Sequence, residues 1–230
     1  MIPLRDDNPR RTVPVVNVTL IIVNVLVFLW EMSQGPRLER ELFRVAFIPA
    51  RFWMPGHFVA EMIRIFVSMF LHGGLLHLGG NMLYLWIFGD NIEDRLGHAR
   101  YLLFYLACGF VATMSHALVN PSSAVPAIGA SGAIAGVLGA YLILFPHARV
   151  LTVIPIIVFI TVREIPAIIV LGLWFVLQLF TGVGSIGAAD EAAGGVAYFA
   201  HIGGFVAGML LVMVLGGRRR PPARQIAYRQ

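Results

Sequence analysis

Ser131 stands behind Gly129-Ala130 and ahead of Gly132, at the start of an apolar run that closes at Phe145-Pro146. The break before it, Asn120-Pro121-Ser122-Ser123-Ala124-Val125-Pro126, places the serine in the first turn of a short helix. Small neighbours leave its hydroxyl uncovered, and such a hydroxyl becomes a nucleophile when a base can reach it. His201, within Ala200-His201-Ile202-Gly203-Gly204-Phe205-Val206-Ala207-Gly208, is the candidate base. His77 and Asn81, at i and i+4, share a helix face and present two side-chain donors together, which is what an oxyanion requires beside a serine and its base. Two blander readings compete. Small-xxx-small patterns such as Gly132/Gly136 pack helices in membranes with no chemistry attached. His77 with His201 could bind a metal, but no carboxylate or thiolate lies at the same depth to supply a third ligand. The expectation is therefore no metal, no cofactor, and a Ser-His dyad with no Asp to make it a triad.

These groups must be positioned by a membrane bundle. The chain has 230 residues, 58% hydrophobic and 13% charged, with a mean hydropathy of +0.81, which excludes a soluble domain. All seventeen basic residues are arginine and the net charge is +5. They sit at the ends of apolar runs without a basic-aromatic stripe, which points to control of topology and away from nucleic acid. The single cysteine, Cys108, lies inside an apolar run and reads as a small buried hydrophobe. His72, His98, His116 and His147 read as hydrogen-bonded core residues.

Charges punctuate the chain, and the intervals between them give the spans. An all-α fold of six membrane-spanning helices is expected, at about 12–30, 74–90, 101–118, 129–146, 165–181 and 196–215. Residues 33–64 alternate charged with apolar side chains and read as an amphipathic segment in the membrane interface. Asp90–Arg100 reads as a short polar connection, and Val150–Val162, with Pro155 in its middle, as an interfacial or re-entrant piece. Six spans put both termini on one side. Arg10 and Arg11 at the start and five arginines in the basic tail, 218–230, assign that side to the cytoplasm, with 119–128 and 181–195 outside. The second, fourth and sixth spans then all run inward, and each carries its unusual polar residue near its outer end. His77, Asn81, Ser131 and His201 thus share a depth. His201, Gly204 and Gly208 fall on one face, at i, i+3 and i+7, so packing that face on Gly132/Gly136 would bring Ser131 Oγ to the imidazole.

Taken together, Gly129-Ala-Ser131-Gly132, His77-x-x-x-Asn81 and Ala200-His201-x-x-Gly204-x-x-x-Gly208 resemble the rhomboid intramembrane serine proteases in their six-span bacterial form. Gly89-x-x-x-Glu93-x-x-x-Gly97 resembles a structural element of that family, and Ile63-Arg64 stands where the family has Trp-Arg, so the arginine is kept and its aromatic neighbour is not. The resemblance implies that 1–230 is a single membrane-embedded rhomboid domain in a bacterial cytoplasmic (inner) membrane. It further implies that Ser131 is the nucleophile, His201 the general base, and His77 and Asn81 the oxyanion donors. The implied substrates are membrane proteins cut in or near a transmembrane segment. Some members place a tyrosine against the catalytic histidine one turn after the serine. This chain has Ala135 there, so Tyr198 is the expected substitute. The competing function is a non-catalytic membrane protein, either a transporter with a polar cavity at membrane depth or a relative that engages transmembrane helices.

Overall fold

The structure, a computed structural model, describes residues 1–156, 159–184 and 197–216. Six long or apolar helices form a bundle: α1 (Val15–Ser33), α5 (Leu75–Leu96), α6 (His98–Val119), α7 (Ser131–Leu144), α8 (Ala167–Gly184) and α9 (Tyr198–Leu215). Between the first two, α2 (Leu38–Val45), α3 (Pro49–Phe52) and α4 (Phe58–Ser68) make up the α1–α5 connection. Among the described residues, four helices, α1, α6, α8 and α9, are long and apolar enough to cross a membrane, and α7 is a shorter apolar helix. The fold is thus a polytopic helical membrane bundle. The expected outer loop beyond Gly184 and the tail 218–230 lie outside the described residues.

The bundle centres on α7, where every residue from Gly132 to Tyr141 is buried. A helix so enclosed must offer small residues to its neighbours. A Cβ on Gly204 of α9 would lie 2.0 Å from the Gly132 carbonyl oxygen, and one on Gly208 would lie 1.9 Å from that of Gly136. A Cβ on Gly136 would meet Cys108 Sγ of α6 at 2.5 Å and the Gly204 carbonyl oxygen of α9 at 3.1 Å. Glycine here permits backbone contact that no side chain would allow. Cys108 is fully buried.

The Gly89, Glu93, Gly97 pattern has a full physical account. Glu93, wholly buried, accepts the first-turn amides of α1, from Val16 at 2.9 Å and Asn17 at 2.7 Å, and so caps a helix whose Pro14 supplies no side-chain cap. Asn17 donates to the Leu85 carbonyl and accepts from Tyr101 Oη. Gly89 makes room for it, because a Cβ there would lie 2.1 Å from Asn17 Oδ1. At Gly97 φ is +80°, which lets α5 stop and α6 begin within a single residue. This corrects the expected polar connection: Asp90–Arg100 is helical on both sides of Gly97.

The described residues of Val150–Val162 are extended, which corrects the expectation of a re-entrant piece. They belong to an antiparallel hairpin of β2 (Arg149–Ile156) and β3 (Phe159–Pro166), joined by β1 (Ile2–Asp6) in a three-stranded sheet of order β1-β2-β3. The β-branched run Val150-Leu-Thr-Val-Ile favours strand over helix. Asp6 ties the sheet to the bundle, accepting from Tyr141 Oη of α7 and from Asn91 Nδ2 of α5.

The α1–α5 connection is a folded platform. Ser68 Oγ accepts from the Phe47 amide at 2.7 Å and Glu61 from the Ile48 amide, while Arg64 pairs with the wholly buried Glu61. Phe47 bridges to Ala127, and the Gly129 amide donates to the Ser68 carbonyl at 2.9 Å. This platform therefore grips the loop that delivers Ser131.

Candidate active site

Ser131 is the first residue of α7. The early N–H groups of a helix have no partner within it, so the hydroxyl arrives together with an available backbone donor. Gly129, with φ at +127°, sets the approach. A Cβ at that position would meet the His77 ring at 2.9 Å, besides forcing a conformation side chains avoid.

Close packing of α9 on α7 brings His201 Nε2 to 2.7 Å from Ser131 Oγ. The other ring nitrogen, Nδ1, lies 2.9 Å from Gln178 Oε1 of α8. An amide oxygen only accepts, so Nδ1 carries the proton and Nε2 is left to accept from the serine. Trp174, one turn before Gln178, lies against the imidazole with ring centroids 5.9 Å apart and planes at 38°. The aromatic neighbour of His201 is Trp174, which corrects the expectation of Tyr198. With Ala135 small, the space beside the imidazole is open to a ring from α8.

His77 and Asn81 project from the first two turns of α5 into the same cavity. His77 is exposed there, and the point at which a Gly129 Cβ would sit lies 3.0 Å from His77 Nε2 and 3.5 Å from Ser131 Oγ. Asn81 is buried, with Nδ2 3.0 Å from His72 Nε2. His72 Nδ1 donates to the Phe70 carbonyl, so its Nε2 must accept, and the Asn81 amide nitrogen is fixed as donor. His72 itself is held by its own backbone amide, which donates to the buried Glu31 carboxylate of α1 at 2.9 Å. Of the four histidines expected in the core, His72 is buried. His98 and His147 are exposed, and His116 is half-buried beside Asn120.

The cavity, ≈ 790 Å³, is lined by Ser131, His201, His77 and Asn81 together with apolar walls that include Tyr84, Leu138 and Trp174. Among the described residues no three His, Cys, Asp or Glu side chains gather as metal ligands would. The remaining motif residues lie outside this cavity. Arg64 is in the platform between α1 and α5, Glu93 is at the far end of α5, and Gly132, Gly204 and Gly208 form the α7–α9 contact. Sequence reasoning missed Gln178, Trp174 and the role of His72. Gln178 had a signal, since a Gln within an 18-residue apolar helix is costly unless something uses it.

Residues 59–218 match the family described as Rhomboid domain. The chain is 31% identical over 196 residues to Rhomboid protein 1, mitochondrial, of Saccharomyces cerevisiae, covering 83% of this chain and 50% of that protein. It is 32% identical over 154 residues to RHOMBOID-like protein 1 of Arabidopsis thaliana, covering 67% of this chain and 34% of that protein. To Rhomboid protease GluP of Bacillus subtilis it is 42% identical over 82 residues, 36% of this chain and 16% of that one. The chain thus spans about half the length of the yeast relative and about a third of the plant one. A helical membrane bundle with a serine, a histidine and two side-chain donors around one cavity is the class that fold and site define. The chain belongs to the rhomboid family, as an integral membrane protein.

Proposed function

We propose that this protein is an intramembrane serine endopeptidase that hydrolyses peptide bonds in or near transmembrane segments of membrane proteins. The observation that carries the reading is the 2.7 Å contact of Ser131 Oγ with His201 Nε2 in the wall of a cavity that also holds His77 and Asn81. In this reaction Ser131 Oγ attacks the scissile carbonyl carbon while its proton passes to His201 Nε2. The Ser131 amide, His77 and the second Asn81 amide hydrogen donate to the oxyanion. Collapse of the tetrahedral intermediate breaks the C–N bond, and His201 gives its proton to the departing amine. Water then enters, loses a proton to His201 and attacks the acyl-enzyme ester, and Ser131 recovers its proton as the acid product leaves. No metal or cofactor takes part.

A substrate helix must unwind to expose a carbonyl, so segments with Gly, Pro or small polar residues are the preferred class. We further infer that α5 and α7 cross the bilayer with the other four helices, and that 1–230 forms one domain. Both termini face the cytoplasmic side of the membrane, on the strength of the arginine distribution. A serine-reactive fluorophosphonate tests the site. Labelling of the wild type but not of Ser131→Ala is expected, and equal labelling of both would remove the serine from the mechanism.

A further inference from the structure

We propose that Gln178 is a third member of the site, a positioning residue that holds His201 in the tautomer with the proton on Nδ1 and aims its Nε2 at Ser131. This rests on the Ser-His reading above and deepens it. Three observations converge. The Gln178 Oε1 to His201 Nδ1 separation is 2.9 Å, on the opposite edge of the ring from the 2.7 Å contact with Ser131. Gln178 follows Trp174 by four residues, so the two side chains leave one face of α8 together, one bonding the ring edge and the other covering the ring plane. Apart from Gln178 and Thr181, α8 is made of apolar residues and glycine, and Thr181 satisfies its own hydroxyl on the Leu177 carbonyl. The amide of Gln178 is thus a polar group in an otherwise apolar helix, with the imidazole as its partner.

The chemistry explains why an amide suits the place. A base that accepts from serine through Nε2 must carry its proton on Nδ1, and an acceptor opposite Nδ1 selects that form over the alternative. A carboxylate would do the same and would also stabilise the imidazolium, but an ionised group at this depth has a heavy desolvation cost. The amide oxygen supplies orientation without a charge. It never touches substrate, so its influence must pass through His201.

The test uses the full chain in detergent with two substitutions of nearly equal shape. Gln178→Met keeps the length and removes the acceptor, and Gln178→Glu keeps an oxygen at the same place. On a membrane-embedded reporter, Gln178→Met should lower kcat by about 10- to 100-fold with KM within about twofold, and the fluorophosphonate labelling rate should fall with kcat. Gln178→Glu should restore most of the loss. Nitrogen-15 NMR of labelled histidine gives a readout independent of turnover. His201 should hold its proton on Nδ1 in the wild type and in Gln178→Glu, and become a mixture of tautomers in Gln178→Met. A wild-type kcat in Gln178→Met, a change confined to KM, an equal loss in both substitutions, or an unchanged tautomer in Gln178→Met would each overturn the proposal. Absence of labelling and cleavage in the wild type would instead overturn the protease reading, while the tautomer result would still decide what Gln178 does.

Discussion

Asn81 has two amide hydrogens, and His72 takes one of them at 3.0 Å, which turns the other toward the cavity. Two different losses follow. Asn81→Ala removes an oxyanion donor while His77 and the Ser131 amide remain, so kcat should fall by roughly 10² to 10³, about 2.7–4 kcal/mol of transition-state stabilisation. His72→Ala leaves Asn81 in place but unoriented, and should give a smaller loss of the same kind with KM unchanged. Steady-state kinetics on both variants checks this. If His72→Ala lost more than Asn81→Ala, His72 would have to act directly. At this scale the gathering of Ser131, His77, Asn81 and His201 around one cavity could be expected from residue type and from their places along the apolar runs. Trp174 and Gln178 could not be, because they lie on a span that carries no motif, and their partner is known only once α8 is packed beside α9. His72 was read as a satisfied core histidine. It is buried and bonded, but the atom it bonds belongs to the site.

Contacts between elements set the 2.7 Å serine-histidine distance. Gly204 and Gly208 of α9 rest on the Gly132 and Gly136 carbonyls of α7. Gly204→Leu or Gly208→Leu should therefore part the two helices and abolish cleavage with His201 untouched. Loss of fluorophosphonate labelling at Ser131 would report it, and full activity in both would mean this face does not set the contact. Glu93 acts far from the cavity. Glu93→Ala leaves the Val16 and Asn17 amides buried without acceptors, a loss on the order of 3 kcal/mol, and thermal unfolding in detergent should show it. The helices could be read from charge-free intervals because hydrocarbon excludes charge along a whole turn of chain. The hairpin of β2 and β3 could not, since a short apolar run with a proline suits an interfacial piece and a strand alike, and β1 lies more than 140 residues away in sequence. The continuous helix through Asp90–Arg95 was missed for a related reason, because a cluster of charges ends an apolar interval without ending the helix.

At the scale of the whole molecule, the site is gripped from several directions. The platform between α1 and α5 holds the Ser131 loop through Ser68, α1 holds His72 through Glu31, and β1 closes the opposite end of α7 through Asp6 and Tyr141. Asp6 gives that last contact a pH dependence. Burial raises its carboxyl to about 6, with the Tyr141 hydroxyl opposing and the Asp90 and Asp7 carboxylates adding to the rise. A raised folded-state value means the folded protein holds the proton more tightly. The associated stability is fully present below about pH 4 and is lost as pH rises through about 6. Thermal midpoints measured at pH 5 and pH 7.5 should therefore differ less in Asp6→Asn than in the wild type. An equal difference in both would place the dependence elsewhere.

The central claim is that Ser131 and His201 cleave peptide bonds as a pair. The most direct measurement is the rate at which purified protein in liposomes cleaves a membrane-embedded reporter, for wild type, Ser131→Ala, His201→Ala and the double substitution, with thermal stability measured alongside. The wild type should cut the reporter, each single substitution should fall to background while remaining folded, and the double should be no worse than either, since the two residues act as a unit. Wild-type turnover by folded Ser131→Ala would contradict the account.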